Sequence, residues 1–391
     1  MDHAMTGGRL MPTYARFPVT LVRGEGCRVW AADGTPYLDL LGGLGALSLG
    51  HAHAGWVKAV CETAATIGLT TNLVTTAPQA RLADRLAALT PVDDATVFLC
   101  NSGAEANEAL LKLVRRHGLA AGRPTVVALE GSFHGRTIAT LAATGQPAKR
   151  APFEPLVEWI RFVPPGDVAA LDAALAPGDV CAVLLEPILG EGGVVPLEAA
   201  YLRAVRDRCD AAGALFAADE VQTGSGRTGR WLALERSGVR ADVVTLAKAL
   251  GGGLPIGAVI ARADLAFGPG EHGSTFGGGP IPSAAALAVL ETIEADALLS
   301  NVAAMGTLLR DEVARLAPTG VVTEIRGDGL LCGFRVPGPR AAAVVLALLA
   351  RGVLASTAGP DVVRCTPPFT INPDEIDEGA KALAAALEDV A

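Results

Sequence analysis

The sequence predicts an α/β architecture built on a mostly parallel sheet, and two observations lead there. Between about Leu82 and Ile260, short apolar runs alternate with segments of helical periodicity. Each short run is apolar almost without a break, as strands buried on both faces must be. Chains that alternate in this way wind helices around both sides of a parallel sheet. The two ends of the chain read differently and predict a smaller α+β unit.

Taken in order, the first 50 residues carry β-rich runs at 19–22, 27–31 and 37–40, set off by Gly and Asp-Gly turns. The central strands include 96–100, 125–129, 180–185, 215–218 and 243–246. Helices lie between them, for example 105–117, which Gly118 should end, and 199–212. From Pro282 a long Ala/Leu-rich helix begins, followed by β-rich segments at 321–327 and 330–335. Helices over 340–349 and 374–390 complete the chain. The expected division is a large domain, 51–280, and a small one in which 1–50 and 281–391 join.

Composition excludes several functions. A net charge of −9 over 391 residues offers no basic face to displace phosphate counterions, so nucleic acid is not an expected partner. An anionic substrate must be caught by local arginines. The seven cysteines are scattered, with no C-x-x-C pair, and read as reduced core thiols. No apolar signal-like segment occupies residues 1–11, and the longest apolar stretches, such as 341–350, are too short to span a bilayer. The expectation is a soluble cytoplasmic protein with no metal site.

Three places carry chemistry. Asn101-Ser102-Gly103-Ala104-Glu105 follows a strand and opens a helix, where free N–H groups make an anion site. An ordinary capped helix would look the same, so this motif gains weight only from its companions. Asp219 emerges at the end of one apolar run and Lys248 at the end of another, about one strand–helix crossover apart. Both should face the crevice where open α/β sheets bind ligands. A partly desolvated lysine can attack an aldehyde, and a carboxylate can keep a pyridine nitrogen protonated. A structural ion pair is the plainer alternative. Gly224-Ser225-Gly226-Arg227-Thr228-Gly229 fits the dinucleotide pattern G-x-G-x-x-G. Asp219-Glu220 precedes it, however, and two carboxylates would repel a pyrophosphate, so an NAD-binding oxidoreductase is disfavoured.

Six blocks in collinear order make the chain resemble the class III, ornithine-type aminotransferases that use pyridoxal phosphate. They are 101–108 (NSGAEANE), 133–137 (FHGRT), 186–193 (EPILGEGG), 219–229 (DEVQTGSGRTG), 246–257 (LAKALGGGLPIG) and 272–278 (HGSTFGG). With Tyr14, Gly50-His51 and Val363-Arg364, the resemblance covers almost the whole chain. It implies fold type I of the pyridoxal-phosphate enzymes, with a seven-stranded sheet in the large domain. Ser102, Gly103 and Ala104 would hold the phosphate, Phe133 and Val221 would pack on the two ring faces, and Glu186 would support them. Asp219 would meet the pyridine nitrogen, Gln222 the phenolic oxygen and Lys248 the aldehyde carbon. Thr275 would reach the phosphate from the partner subunit of an obligate homodimer. On the substrate side the resemblance implies Tyr14, Arg136 for the carboxylate of an ω-amino donor, and a switch pair, Glu191 and Arg364. Glu191 would neutralise Arg364 while the amine is bound and release it to 2-oxoglutarate.

Three positions depart from the family pattern. Gly279 stands where an Asn is usual, Val74 where a Tyr is common, and 44–48 (LGALS) is atypical. Leu44 occupies the place of a Tyr associated with free ornithine. The implied donor is N2-acetylornithine, in arginine biosynthesis. Sister ω-amines such as succinylornithine, 4-aminobutyrate, lysine or a specialised diamino acid stay open. An aminomutase or racemase is disfavoured, because neither needs a dicarboxylate switch.

Overall fold

The structure, a computed structural model, describes residues 9–317 and 320–390. Its N-terminal strands are β1 (Leu21–Glu25), β2 (Arg28–Ala31) and β3 (Pro36–Asp39). The central strands are β4 (Ala95–Cys100), β5 (Thr125–Leu129), β6 (Ile160–Val163) and β7 (Val180–Leu185), a hairpin of β8 (Ile188–Leu189) and β9 (Val195–Pro196), then β10 (Leu215–Asp219), β11 (Val243–Leu246) and β12 (Gly257–Arg262). Seven of them form one sheet in the order β4-β12-β11-β10-β7-β5-β6. The run β11-β10-β7-β5-β6 is parallel, and only β12 opposes its neighbours. The mostly parallel seven-stranded sheet is therefore present, with β6 and β12 additional to the five runs read from apolarity. Arg161 interrupts the apolar pattern of β6 at the sheet edge.

The unbroken apolarity of the strands has a direct cause. In β10, Leu215 and Ala217 face the helix Gly103–Ala120, packing with Leu110 and Val114, while Phe216 and Ala218 face the opposite layer with Leu202 and Val205. Successive side chains point to opposite sides, and both sides are covered. Gly118 does not end that helix, contrary to the sequence expectation; the helix runs on to Ala120. A Cβ at Gly118 would lie 2.1 Å from the Cys181 Cβ and 2.4 Å from the Arg123 carbonyl oxygen. The glycine lets the helix lie directly on β7.

The long helix expected from Pro282 is two helices, Pro280–Ala295 and Leu298–Ala314, broken at Ala297, whose φ is +51°. Beyond it, β13 (Glu324–Asp328), β14 (Leu331–Arg335), β15 (Val353–Leu354), β16 (Ser356–Thr357) and β17 (Val362–Cys365) follow. β15 pairs in parallel with β3, so the two ends of the chain meet in one sheet. Leu38 and Leu40 share a core with Val302, Phe334, Phe369 and Ile376. Among the described residues, no helix is long and apolar enough to cross a membrane.

Candidate active site

Parallel strands deliver their C-terminal ends to one edge. Glu186 follows β7, Asp219 ends β10 and Lys248 follows β11, three neighbours in the sheet. The register aligns Asp219 with Thr245, three residues before Lys248. Asn101 and Ser102 leave β4 at the same edge, since Cys100 and Leu246 both pair near the start of β12. These residues line a cavity of about 380 Å³ together with Gly103, Ala104, Phe133, Arg136, Val221, Gln222 and Glu191. The glycine-rich segment 224–229 lies outside it and forms turns, followed only by the short 3₁₀ helix Ala233–Ser237 and not by an α-helix that could hold a pyrophosphate. Its Arg227 is fully buried and donates to the carbonyls of Gly45, Leu330 and Pro367.

Asp219 is buried and held from several sides. Its Oδ2 accepts from Asn107 Nδ2 at 2.7 Å and lies 2.8 Å from His134 Nδ1. Its Oδ1 accepts from the Val221 N–H at 3.0 Å. Asn107 also donates to the His134 carbonyl at 2.8 Å and accepts from the Thr245 hydroxyl at 2.8 Å. A carboxylate fixed by this many donors keeps one orientation and stays ready to accept from a further group in the cavity. Sequence reasoning did not single out Asn107 or His134. Asn107 could have been found, because it lies on the same face as Leu110 and Val114, where a polar side chain needs a buried partner.

Lys248 has a φ of +41° and sits where burial, and then the charge of Arg364, push its amine below the ordinary lysine range. Asp219, Glu191 and Glu186 pull the other way. Part of its surface opens to the cavity. Glu186 accepts from the Phe133 N–H at 2.7 Å and the Gly190 N–H at 3.2 Å. It thereby ties the Phe133 loop to the Glu191 loop. Burial, with Asp219 nearby, pushes its carboxyl up to about 7.

At the helix start, the Ser102 hydroxyl oxygen accepts from the Glu105 N–H at 3.1 Å, which leaves the hydroxyl proton free to donate. The N–H groups of Gly103 and Ala104 have no intrahelical acceptor. Behind the lining residues Glu191 and Gln222, Arg364 on β17 is buried and donates to Glu191 Oε1 at 2.6 Å, to the Gly190 carbonyl at 3.1 Å and to Ser356 Oγ at 3.2 Å. Gln222 Oε1 lies at 3.4 Å from the same guanidinium. Burial alone would raise the Glu191 carboxyl, but the charge and hydrogen bond of Arg364 outweigh it and hold Glu191 below the ordinary glutamate range. Arg136 is exposed, its guanidinium 5.4 Å from the centre of the Phe133 ring.

Two expected site residues are not brought in. Tyr14 is 75% exposed and Thr275 lies on a separate surface recess beside Asn72 and His272. Leu44 and Val74 are also exposed and outside the cavity lining, whereas Ala46 of the atypical run is part of it. Gly279 caps the helix Pro280–Ala295.

The family model for class III aminotransferases matches residues 11–387. The acetylornithine aminotransferase of Mycolicibacterium smegmatis is 47% identical, over 98% of this chain and 97% of its own. That of Thermosynechococcus vestitus is 46% identical, over 98% and 96%. Among solved structures, the N-acetylornithine aminotransferase from Stenotrophomonas maltophilia superposes with a TM-score of 0.84 at 37% identity, covering 96% of this chain and 97% of that one. An ornithine aminotransferase from Toxoplasma gondii, described with partial occupancy of pyridoxal phosphate at its active site, gives a TM-score of 0.94 at 32% identity, covering 99% and 93%. The two rankings differ because the TM-score follows the backbone path, which donors of different chemistry can share. Matched over nearly all of its length, the chain belongs to the class III aminotransferases.

Proposed function

We infer that this enzyme uses pyridoxal phosphate to move the amino group of an ω-amine, N2-acetylornithine by preference, to 2-oxoglutarate. The products are N-acetylglutamate 5-semialdehyde and glutamate. The observation that carries the reading is the meeting of Lys248, Asp219 and the first turn of the helix Gly103–Ala120 in one cavity, beside an Arg364 paired with Glu191. The donor set fits the cofactor. Free N–H groups and the Ser102 hydroxyl suit a phosphate, a buried carboxylate suits a basic ring nitrogen, and an amine of lowered basicity suits an aldehyde. When bound, the cofactor supplies the aldehyde that takes up the amino group and the ring that delocalises electrons.

The roles of the chain's own residues follow. Ser102, Gly103 and Ala104 hold the phosphate, Phe133 and Val221 enclose the ring, and Gln222 donates to its phenolic oxygen. Asp219 keeps the ring nitrogen protonated, oriented by Asn107 and His134. Lys248 would hold the cofactor at its aldehyde carbon and, with its amine free, would move the proton at the substrate carbon. Glu186 positions the loops that carry Phe133 and Glu191. Arg136 and Tyr14 meet the donor, Arg136 at its carboxylate. Glu191 masks Arg364 during the amine half-reaction and releases it to the α-carboxylate of 2-oxoglutarate, which an arginine fork can hold bidentately. Thr275 completes the phosphate site from the partner subunit of a homodimer. A reducing cytoplasmic setting suits seven free cysteines, six of them buried.

Single-turnover and steady-state rates with acetylornithine, ornithine, 4-aminobutyrate and lysine test the reading. An acylated α-nitrogen brings no charge into the apolar surroundings of Ala46, Leu254 and Ile256, whereas a free ammonium would be left unpaired. Acetylornithine should therefore lead ornithine in kcat/KM by about tenfold or more, about 1.4 kcal/mol. A preference for an unacylated amine would overturn the substrate, and no transfer from any amine would overturn the reaction.

A further inference from the structure

The roles above leave one cation beside the cavity unused. Lys149 is half-buried in the helical turn Pro147–Arg150, and its Nζ lies 5.6 Å from the centre of the Phe133 ring. The Arg136 guanidinium lies 5.4 Å from the same centre. The side chain of Lys149 is fixed from behind. The Gln146 amide donates to the carbonyls of Gly131 and Ser132, each at 3.2 Å, and its oxygen then accepts from Lys149. Among the described residues neither Lys149 nor Arg136 has a carboxylate partner, although the chain is acidic overall and most of its arginines are paired. Burial pushes the Lys149 amine below the ordinary lysine range; Glu191 counters this, while Arg136 adds to it. Two cations 5.4 and 5.6 Å from one ring centre, neither of them in an ion pair among the described residues, are an arrangement that an incoming carboxylate stabilises.

We propose that Lys149 and Arg136 form a two-cation clamp on a substrate carboxylate, with Lys149 the positioning residue and Gln146 the group that positions Lys149. This rests on the aminotransferase reading, which assigns a carboxylate to Arg136 alone. A planar guanidinium gives the carboxylate its orientation, and the ammonium adds a point charge that fixes how deeply it sits. The clamp serves any substrate with a carboxylate at that end, so it acts in both half-reactions. An aromatic-stacked structural lysine would behave differently, because its contact is made by the side-chain stem as well as the charge.

The test uses holoenzyme, wild type beside Lys149→Met and Lys149→Arg. The dissociation constant of glutarate, a dicarboxylate with neither amino nor keto group, is measured by calorimetry. Lys149→Met should weaken glutarate about tenfold, about 1.4 kcal/mol, and Lys149→Arg should restore it to within about threefold. In turnover, KM for the carboxylate substrates should rise in parallel while kcat stays within about twofold. Unchanged glutarate affinity in Lys149→Met, or a loss that Lys149→Arg does not recover, overturns the clamp. If no amine is turned over by wild type, the aminotransferase reading fails, and the glutarate measurement still decides the role of Lys149.

Discussion

Lys248 is held against two preferences at once. A positive φ disfavours any residue with a Cβ, and enclosure disfavours an ammonium. Both are tolerated because the segment is fixed by β11 before it and by the 3₁₀ helix Lys248–Gly251 that it opens. Lys248→Ala should remove the visible absorbance of the lysine-bound cofactor and lower turnover by at least about 10²-fold; a variant with near-normal transfer rates would end the central assignment. Glu186 makes a different prediction, about pH. Its carboxyl is raised in the folded state from an ordinary value near 4.5 to about 7. The folded chain thus binds more protons at this group than the unfolded chain between those values. Its contribution to stability is fully present at low pH and is lost as pH rises toward 7. Glu186→Gln has no such loss, so the stability of the variant relative to wild type should increase from pH 5 to pH 7. Urea unfolding of both apo-proteins at the two pH values checks this, and a constant difference would show that Glu186 is not raised.

At the scale of elements, the sheet explains which parts of the site were legible in the sequence. Asp219 and Lys248 each break an apolar run at its C-terminal end, and a parallel sheet must bring such ends together, so their meeting was readable; Glu186 follows β7 in the same way, but only the resemblance marked it. Asn107 and His134 were harder, because each is a lone polar residue whose partner lies far along the chain. Gly118 misled, since a glycine that ends a helix and one that lets a helix touch a strand look alike without the neighbour. The break at Ala297 had no signal, being neither Gly nor Pro. The Glu191–Arg364 pair joins the loop after β8 to β17, two elements more than a hundred residues apart, and only resemblance suggested it. The switch proposed for this pair makes a specific claim. Glu191→Gln leaves Arg364 charged and unmasked while the amine binds, so the amine half-reaction should slow by about tenfold or more and the 2-oxoglutarate half much less. Stopped-flow measurement of each half separately decides it, and equal losses would make the pair structural.

At the scale of the whole molecule, the single chain lines its cavity without Tyr14 or Thr275, and the second of these points to a partner. Thr275 is exposed on a recess with Leu69, Asn72 and Leu73, and the Asn72 amide holds the backbone there by donating to the carbonyls of Ser274 and Gly277 at 2.9 and 3.1 Å. Leu69, Leu73, Val74 and Phe276 are large apolar side chains left exposed on these same segments. Such a surface is what a subunit contact covers, and a homodimer would carry Thr275 to the phosphate of the opposite subunit. Losing one hydrogen bond to a charged phosphate costs about 1.5–3 kcal/mol, so Thr275→Ala should bind the cofactor about ten- to a hundredfold more weakly. That result alone would not tell a contact within the chain from one across a dimer. Mixing does. Lys248→Ala subunits keep Thr275, and Thr275→Ala subunits keep Lys248. In a mixed dimer, the site that owns Lys248 would receive Thr275 from its neighbour and regain wild-type affinity. At cofactor concentrations where neither parent is active, dissociated and reassociated mixtures should therefore show transaminase activity. If Thr275 served its own chain instead, every site in the mixture would still lack one of the two residues, and no activity would return.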